Sequence, residues 1–294
     1  MRITNNMLAD TTLRNLNASK ERLDRLQNEL TSGQRISTPS DDPIGTASAL
    51  EFRGTLSEVG QYLKNIDSAK SWLGATDTAL DSLTLTLQRV RELAVQGAND
   101  SLSAGDKQAI ATEVSNLIDQ AISLGNSTFG GQYLFAGLKV GTAPFTAVGS
   151  PPASVTYNGD AFSIVRQINN PATIAVNTPG GASIGPVFTA LIDLRDQLTA
   201  GNSTGVSASI SGIDAALDSV VSSRAQVGAR INRLEGEADR LGSLRLDIQG
   251  LLSKVQDIDI TQAISEFAVQ QNVYQAALAA GARAVQPSLL DYLK

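Results

Sequence analysis

The sequence predicts a mainly α chain with a small β-rich insertion: an elongated antiparallel coiled-coil or helical rod that carries a distal β domain. Three observations predict it. Apolar residues fall on heptad positions near both ends, two long internal stretches keep the same rhythm, and the Gly-, Pro-, Thr- and Val-rich middle switches to short β-like runs. A repeat of 3.5 residues specifies a facing helix, because a lone stripe of that kind stays half in water.

Near the start, Leu16, Leu23 and Leu30 fall seven apart with Leu13 and Leu26 beside them. This first helix is expected from about 6 to 32, stopping at Gly33, which suits a left-handed cap. Pro39 and Pro43 then break the pattern; Asp42 reads as the N-cap of the next helix and Pro43 as its first position. Asp41-Asp42 as a metal or acid–base pair is the rival reading, outweighed by capping and loop hydrogen bonding. In the second helix Val59, Ile66, Leu73, Leu80, Leu87 and Ala94 sit at strict sevens, flanked by Leu56 and Leu63 early and by Leu83 and Val90 later. After a polar break over 97–105, Ile110, Val114, Leu117, Ala121 and Leu124 mark a shorter third helix.

From about Phe129 the pattern changes. Val155-Thr156-Tyr157 and Phe162-Ser163-Ile164-Val165, joined by Asn158-Gly159-Asp160, predict a hairpin, since Asn-Gly between β-like runs favours a tight turn. Thr173–Val176 is a further candidate strand, and Phe188–Leu198 an amphipathic helix that closes the insertion. Then Ile210, Ile213, Leu217, Val220, Arg224, Val227, Ile231, Leu234, Ala238, Leu241, Arg245, Ile248, Leu252 and Val255 keep a 3-4 alternation, a helix of roughly 70 Å. Bare burial of Arg224 and Arg245 in that seam would be costly, so they are expected to pair with carboxylates of a facing helix or to reach solvent; a role at an intermolecular contact is the other reading. Asp259 with Gln262 resembles a capping box opening the last helix. Mg²⁺ ligation by Asp257-x-Asp259 lacks nearby partners. In that helix Ile260, Ile264, Phe267, Gln271, Tyr274, Leu278 and Val285 follow a 4-3 rhythm, and Leu289, Leu290, Tyr292 and Leu293 add apolar side chains beyond Pro287.

These elements predict a chain that goes out and returns. Residues 1–50 with 256–294 form a terminal coiled-coil tier, 51–132 with 200–255 a central helical rod, and 133–199 the β-rich insertion.

Composition narrows the function. The formal charge of −6 argues against a phosphate-tracking surface, hence against nucleic acid, and against a polybasic membrane binder. The chain has no cysteine and no histidine. That removes disulfides, thiolate nucleophiles, the commonest general base and most zinc sites. There is no phosphate-binding glycine loop and no Ser-x-x-Lys site. No catalytic, metal or cofactor site is expected. The first residues lack the apolar core of a cleaved secretory signal, so the chain is expected to stay in the cell or leave by a route that reads none.

Residues Leu30-Thr31-Ser32-Gly33-Gln34-Arg35-Ile36-Ser37-Thr38-Pro39-Ser40-Asp41-Asp42-Pro43-Ile44-Gly45 resemble the signature that follows the first helix of bacterial flagellins and their relatives. Arg35, Ile36, Asp41 and Asp42 carry the likeness, and Pro39 and Pro43 tilt it toward the hook–filament junction branch. Residues 130–137, 155–160 and 288–293 are similar to that branch as well.

The resemblance implies a structural, non-enzymatic protein of the bacterial flagellum, outside the cell, exported unfolded through the flagellar type III channel without a cleaved signal. It implies as partners flagellin, the other hook-associated junction protein, further copies of the chain in a ring or helical layer, and an export chaperone on the last helix. The two terminal stripes, including Leu289, are then assembly seams, with Lys20, Gln27 and Gln271 as polar interruptions that weaken the isolated pair and fix its register. A filament-forming flagellin is the nearest rival, and a cytoplasmic coiled-coil scaffold a more distant one.

Overall fold

In the computed structural model, residues 5–285 are described. In chain order the helices are α1 (Asn5–Ser32), α2 (Pro43–Gly97) and α3 (Ala104–Gly125). Six short strands follow: β1 (Thr128–Phe129), β2 (Gln132–Tyr133), β3 (Phe145–Val148), β4 (Ser154–Tyr157), β5 (Val165–Gln167) and β6 (Thr173–Ala175). Helices α4 (Gly180–Ser183), α5 (Gly185–Thr199), α6 (Ser203–Gln256) and α7 (Ile260–Val285) complete the chain. Contacts gather into two compact units, 1–58 with 244–294 and 59–243. Helices α2 and α6 each run from one unit into the other.

The helix ends follow from local chemistry. Gly33 adopts φ +70°, and its N–H donates to the Glu29 carbonyl at 2.8 Å, closing α1. Asp42 caps α2 as expected, its Oδ1 accepting from the Gly45 N–H at 2.9 Å ahead of Pro43. Ser103 and Asp106 form a reciprocal capping box on α3, a signal in the polar break that the sequence reading did not use. At α7 only half of the predicted box forms. Asp259 accepts from the Thr261 and Gln262 N–H groups, while the Gln262 side chain turns to Glu266.

In the unit 59–243, the strict heptad row of α2 is the core: Val59, Ile66, Leu73, Leu80, Leu87 and Ala94 are all buried. On α6 the rhythm alternates in depth. Ile213, Val220, Val227, Leu234 and Leu241 are buried, whereas Ile210, Leu217, Arg224, Ile231 and Ala238 are half-buried at the rim. Ion pairs join the two helices at Lys70–Glu235 (3.0 Å) and Arg91–Asp214 (2.6 Å). Because 91 − 70 and 235 − 214 both equal 21, the helices run antiparallel in constant register. Between those pairs Arg224 reaches Asp81 at 2.7 Å and Asp77 at 3.2 Å. Its bond with Asp77 raises the guanidinium pKa above its ordinary value, so the seam arginine is paired across the helices as expected. Arg245 lies exposed.

The β region differs from the predicted hairpin. β4 pairs with β3 upstream, Tyr157 opposite Phe145, and β5 pairs with β6, Val165 opposite Ala175. Asn158-Gly159-Asp160 serves as a tethered loop. Asn158 Nδ2 donates to Thr146 Oγ1 at 2.8 Å, Asp160 Oδ1 accepts from the Leu138 and Phe162 N–H groups, and the Tyr157 ring crowds Gly159. Those tertiary bonds outcompete the local turn preference. Phe145 anchors the region, packed on Phe188 and Tyr157 with ring centroids 4.9 and 5.3 Å away. Asn126 bonds both backbone groups of Phe145, at 2.8 and 2.9 Å, and so stands in for a missing strand.

Leu80 is wholly buried in α2 and Leu85 is 60% exposed. Urea unfolding should therefore show Leu80→Ala costing about 2–5 kcal/mol and Leu85→Ala about 0.5 kcal/mol or less. Equal losses would contradict the placement of this core.

Candidate functional site

The unit of 1–58 with 244–294 holds every described residue of the expected assembly seams and of the signature loop. Here α1 and α7 pair antiparallel, Ser19 meeting Gln270 near the middle and Thr12 approaching Gly281 near one end. On α1 the inward row is Thr12, Leu16, Ser19, Leu23, Leu26 and Leu30, a 4-3 repeat. Leu16, Leu23, Leu26 and Leu30 are half-buried there as the spacing predicts, while Leu13 points outward at 57% exposure.

On α7 the inward row is Ala263, Phe267, Gln270, Tyr274, Ala277 and Gly281. It shares Phe267 and Tyr274 with the predicted stripe, but it is rotated by about 60°, since α-helical positions advance 100° per residue. Ile260, Ile264 and Leu278 therefore lie on an exposed flank, and Val269 and Val273 on the opposite one. Weighting the stripe by side-chain size hid this, because the true interface uses small residues that let the backbones approach. Val285 ends α7 with its side chain outside the described set, and Leu289 lies outside the described residues altogether.

The polar members of the seam also differ from expectation. Lys20, Gln27 and Gln271 are exposed. Buried Ser19 takes their place: Gln270 Nε2 donates to its Oγ at 3.0 Å and to its carbonyl at 3.2 Å. A satisfied polar pair in an apolar seam fixes register, because any slip strands both groups. From Phe267 to Ala282 α7 carries no charge.

The signature loop closes one end of this pair. The Arg35 N–H donates to the Gln256 carbonyl at 2.7 Å, and the Ile258 N–H donates to the Gly33 carbonyl at 3.1 Å, making a short antiparallel bridge at Gln34 and Asp257. Arg35 Nη2 reaches the Val255 carbonyl at 2.9 Å and Asp42 Oδ2 at 3.5 Å. Arg53 holds the buried Gln256 side chain at 2.9 Å, a contact with no sequence motif to reveal it. Ile36 is buried, and it leaves no room for a Cβ at Gly45, which would lie 2.5 Å from both its Cδ1 and Asp42 Oδ2. Pro39 and Pro43 remain exposed, limiting helix continuation on either side of the two aspartates.

Asp41 and Asp42 act as fasteners. Asp41 Oδ2 accepts from the backbone N–H of Thr38 at 2.8 Å and of Ser37 at 3.2 Å. The Thr38 bond above all draws its carboxyl below the ordinary 3.8, and the Gly45 N–H does the same for Asp42. Among the described residues no cluster of three or more metal-ligating side chains occurs.

The family model of the bacterial flagellin N-terminal helical region matches residues 3–140, and that of the bacterial flagellin C-terminal helical region matches 210–293. The chain is 26% identical over 305 residues to flagellar hook-associated protein 3 of Salmonella typhimurium, covering 94% of each chain. It is 30% identical over 284 residues to the flagellar filament 30.7 kDa core protein of Treponema maltophilum, covering 97% of this chain and 96% of that one. In fold it is similar to the flagellar junction protein FlgL of Legionella pneumophila, with a TM-score of 0.61 over 72% of this chain and 100% of the other at 17% identity.

The two carboxylates set a pH window. A depressed folded-state pKa contributes stability that is present above 3.8 and lost as pH falls through the lower folded values. Protection of the Thr38 and Gly45 amides, taken relative to their intrinsic exchange rates at each pH, should therefore hold from neutral pH down to 3.8 and fall at lower pH. Asp41→Asn should remove the protection at Thr38 even at neutral pH; unchanged exchange in that variant would contradict the fastening role.

Proposed function

This chain belongs to the bacterial flagellin family, and we propose that within it the chain is a hook–filament junction subunit, a structural part of the flagellum that joins the hook-associated layer to the filament. The observation that carries this reading is the unfinished α1–α7 seam. None of Leu13, Leu16, Leu23, Leu26, Leu30 and Leu278 is fully removed from water, and among the described residues the buried apolar residues of that unit are few: Ile36, Ala49, Ile248 and Ala263. A half-buried leucine recovers about half of the 1.5–3 kcal/mol available to it, against about 1–2 kcal/mol of backbone ordering entropy for each residue. Exposed Leu13, Ile260, Ile264, Val269, Val273 and Leu278 then supply the surface that neighbouring subunits cover.

In this reading the terminal helices are assembly seams, Leu289 and Val285 included, and they order fully only in the wall of the flagellum. The neighbours are further copies of the chain, the other hook-associated junction protein and flagellin. Export runs through the flagellar channel, and a chaperone holds the apolar flank of α7 beforehand as an amphipathic helix in a groove. The hook-associated relative and the two prolines of the signature loop favour the junction over the filament. The filament core protein is the observation behind the second reading, a filament subunit.

Labelling the chain in intact flagella separates the two. A narrow band between hook and filament is expected, and labelling along the filament would overturn the junction assignment. Leu23→Asp or Phe267→Asp should abolish incorporation while the helical circular dichroism and urea midpoint of the 59–243 unit stay unchanged. Normal incorporation of both variants would refute the seam.

A further inference from the structure

The two flanks of the α1–α7 pair are not alike. A residue one position after an inward one is turned by about 100° to one side, and a residue one position before it by as much to the other. In an antiparallel pair the residues that follow inward positions share one flank, and those that precede them share the opposite flank. Leu13, Ile264 and Leu278 follow Thr12, Ala263 and Ala277, and with Ile260 they are between 43% and 60% exposed. Val269 and Val273 precede Gln270 and Tyr274, while Arg22 and Arg25 precede Leu23 and Leu26. A groove of about 480 Å³ opens on that second flank, lined in part by Arg22, Arg25, Leu26 and Val269. Farther along the same flank only the small side chains of Ala18, Ala276 and Ala280 stand beside it. One flank projects long aliphatic side chains, and the other is hollow.

The charges match in the same sense. Asp24 follows Leu23 and stands at the outer edge of the projecting flank, whereas Arg25 precedes Leu26 and stands at the outer edge of the hollow one. Neither joins an ion pair among the described residues. Lys20 on the projecting flank and Glu266 in the groove repeat the complementarity with the signs exchanged. A symmetric pair that joins hollow to hollow leaves the aliphatic flank of both copies in water, so the two surfaces fit each other better than themselves.

We propose that neighbouring copies within one layer lie side by side, the Leu13, Ile264 and Leu278 flank of one seated in the Val269 and Val273 groove of the next, with Asp24 of the first paired to Arg25 of the second. At equal height these two charges differ by one residue, about 1.5 Å along the helix. Thr12 lies against Gly281, so the same placement brings Leu13 level with the small Ala280 of the neighbour. A contact between two different faces of this kind advances around the axis and not along it, and a layer that closes leaves no flank open. This rests on the reading of the chain as a subunit of a single junction layer, and it names the faces that meet there.

The absence of cysteine makes the test clean, since a Leu13→Cys, Ala280→Cys chain has no other thiol. The two positions lie on opposite flanks of one copy with their Cβ atoms pointing apart, so a disulfide between them has to join two copies. The unmodified, tagged chain is first located in isolated flagella; its absence from the boundary of hook and filament overturns the junction reading itself. Flagella carrying the double variant, or either single variant, are then oxidised, run on non-reducing gels and analysed by peptide mass spectrometry. Multimers linked from position 13 to position 280 are expected from the double variant, and monomers from each single one. Incorporated double variant that stays unlinked, dimers of a single variant, or links to a different protein overturn the docking. If the cysteine pair is not incorporated, charge reversal decides. Asp24→Arg and Arg25→Asp should each lower the incorporated amount several-fold and restore it when combined; no loss in the single variants, or no recovery in the double one, overturns the proposal.

Discussion

Two backbone hydrogen bonds, from Arg35 to Gln256 and from Ile258 to Gly33, tie the turn that leaves α1 to the turn that enters α7. Everything in the terminal unit hangs on them. They bring together segments more than two hundred residues apart, set where α7 starts along α1, and thereby decide that Ser19 faces Gln270. Arg35 and Arg53 reinforce the tie through carbonyl and amide oxygens of α6. The aspartates of the signature loop keep its shape through their bonds to the backbone N–H groups of Ser37, Thr38 and Gly45.

The contrast between the two helical pairings follows from side-chain size. In the unit 59–243 the apolar heptad residues, large at all positions but Ala94, exclude water and leave rim positions for ion pairs, which carry little net stability but forbid the wrong register. Between α1 and α7 the leucines and Ser19 face a row in which Phe267 and Tyr274 alternate with Ala, Gln and Gly. Close approach is gained, apolar burial is lost, and the aliphatic side chains Ile260, Ile264, Val269, Val273 and Leu278 are left on the flanks of α7. A unit of this kind stands on few interactions of its own, in keeping with a place inside an assembly.

Much of this was legible in the sequence. The strict sevens of α2, the 3-4 rhythm of α6, the pairing of Arg224, the stop at Gly33 and the cap at Asp42 all follow from spacing and local chemistry, because large apolar residues on a helix leave one consistent solution. Three features were not. The inward face of α7 uses residues that a hydrophobicity count ignores, and a rotation of about 60° changes little in the counted pattern. The Asn158-Gly159 turn signal was overruled by contacts with Thr146 and Leu138, which no local window contains. Arg53 and Gln256 were invisible for a third reason: a single long-range hydrogen bond leaves no periodic trace.

The uncharged stretch of α7 has one more consequence. With no side chain from Phe267 to Ala282 charged at neutral pH, association through this face of the helix depends little on ionic strength. Its driving force is apolar burial, which weakens as water cools. Contacts made by this face respond to temperature far more than to salt.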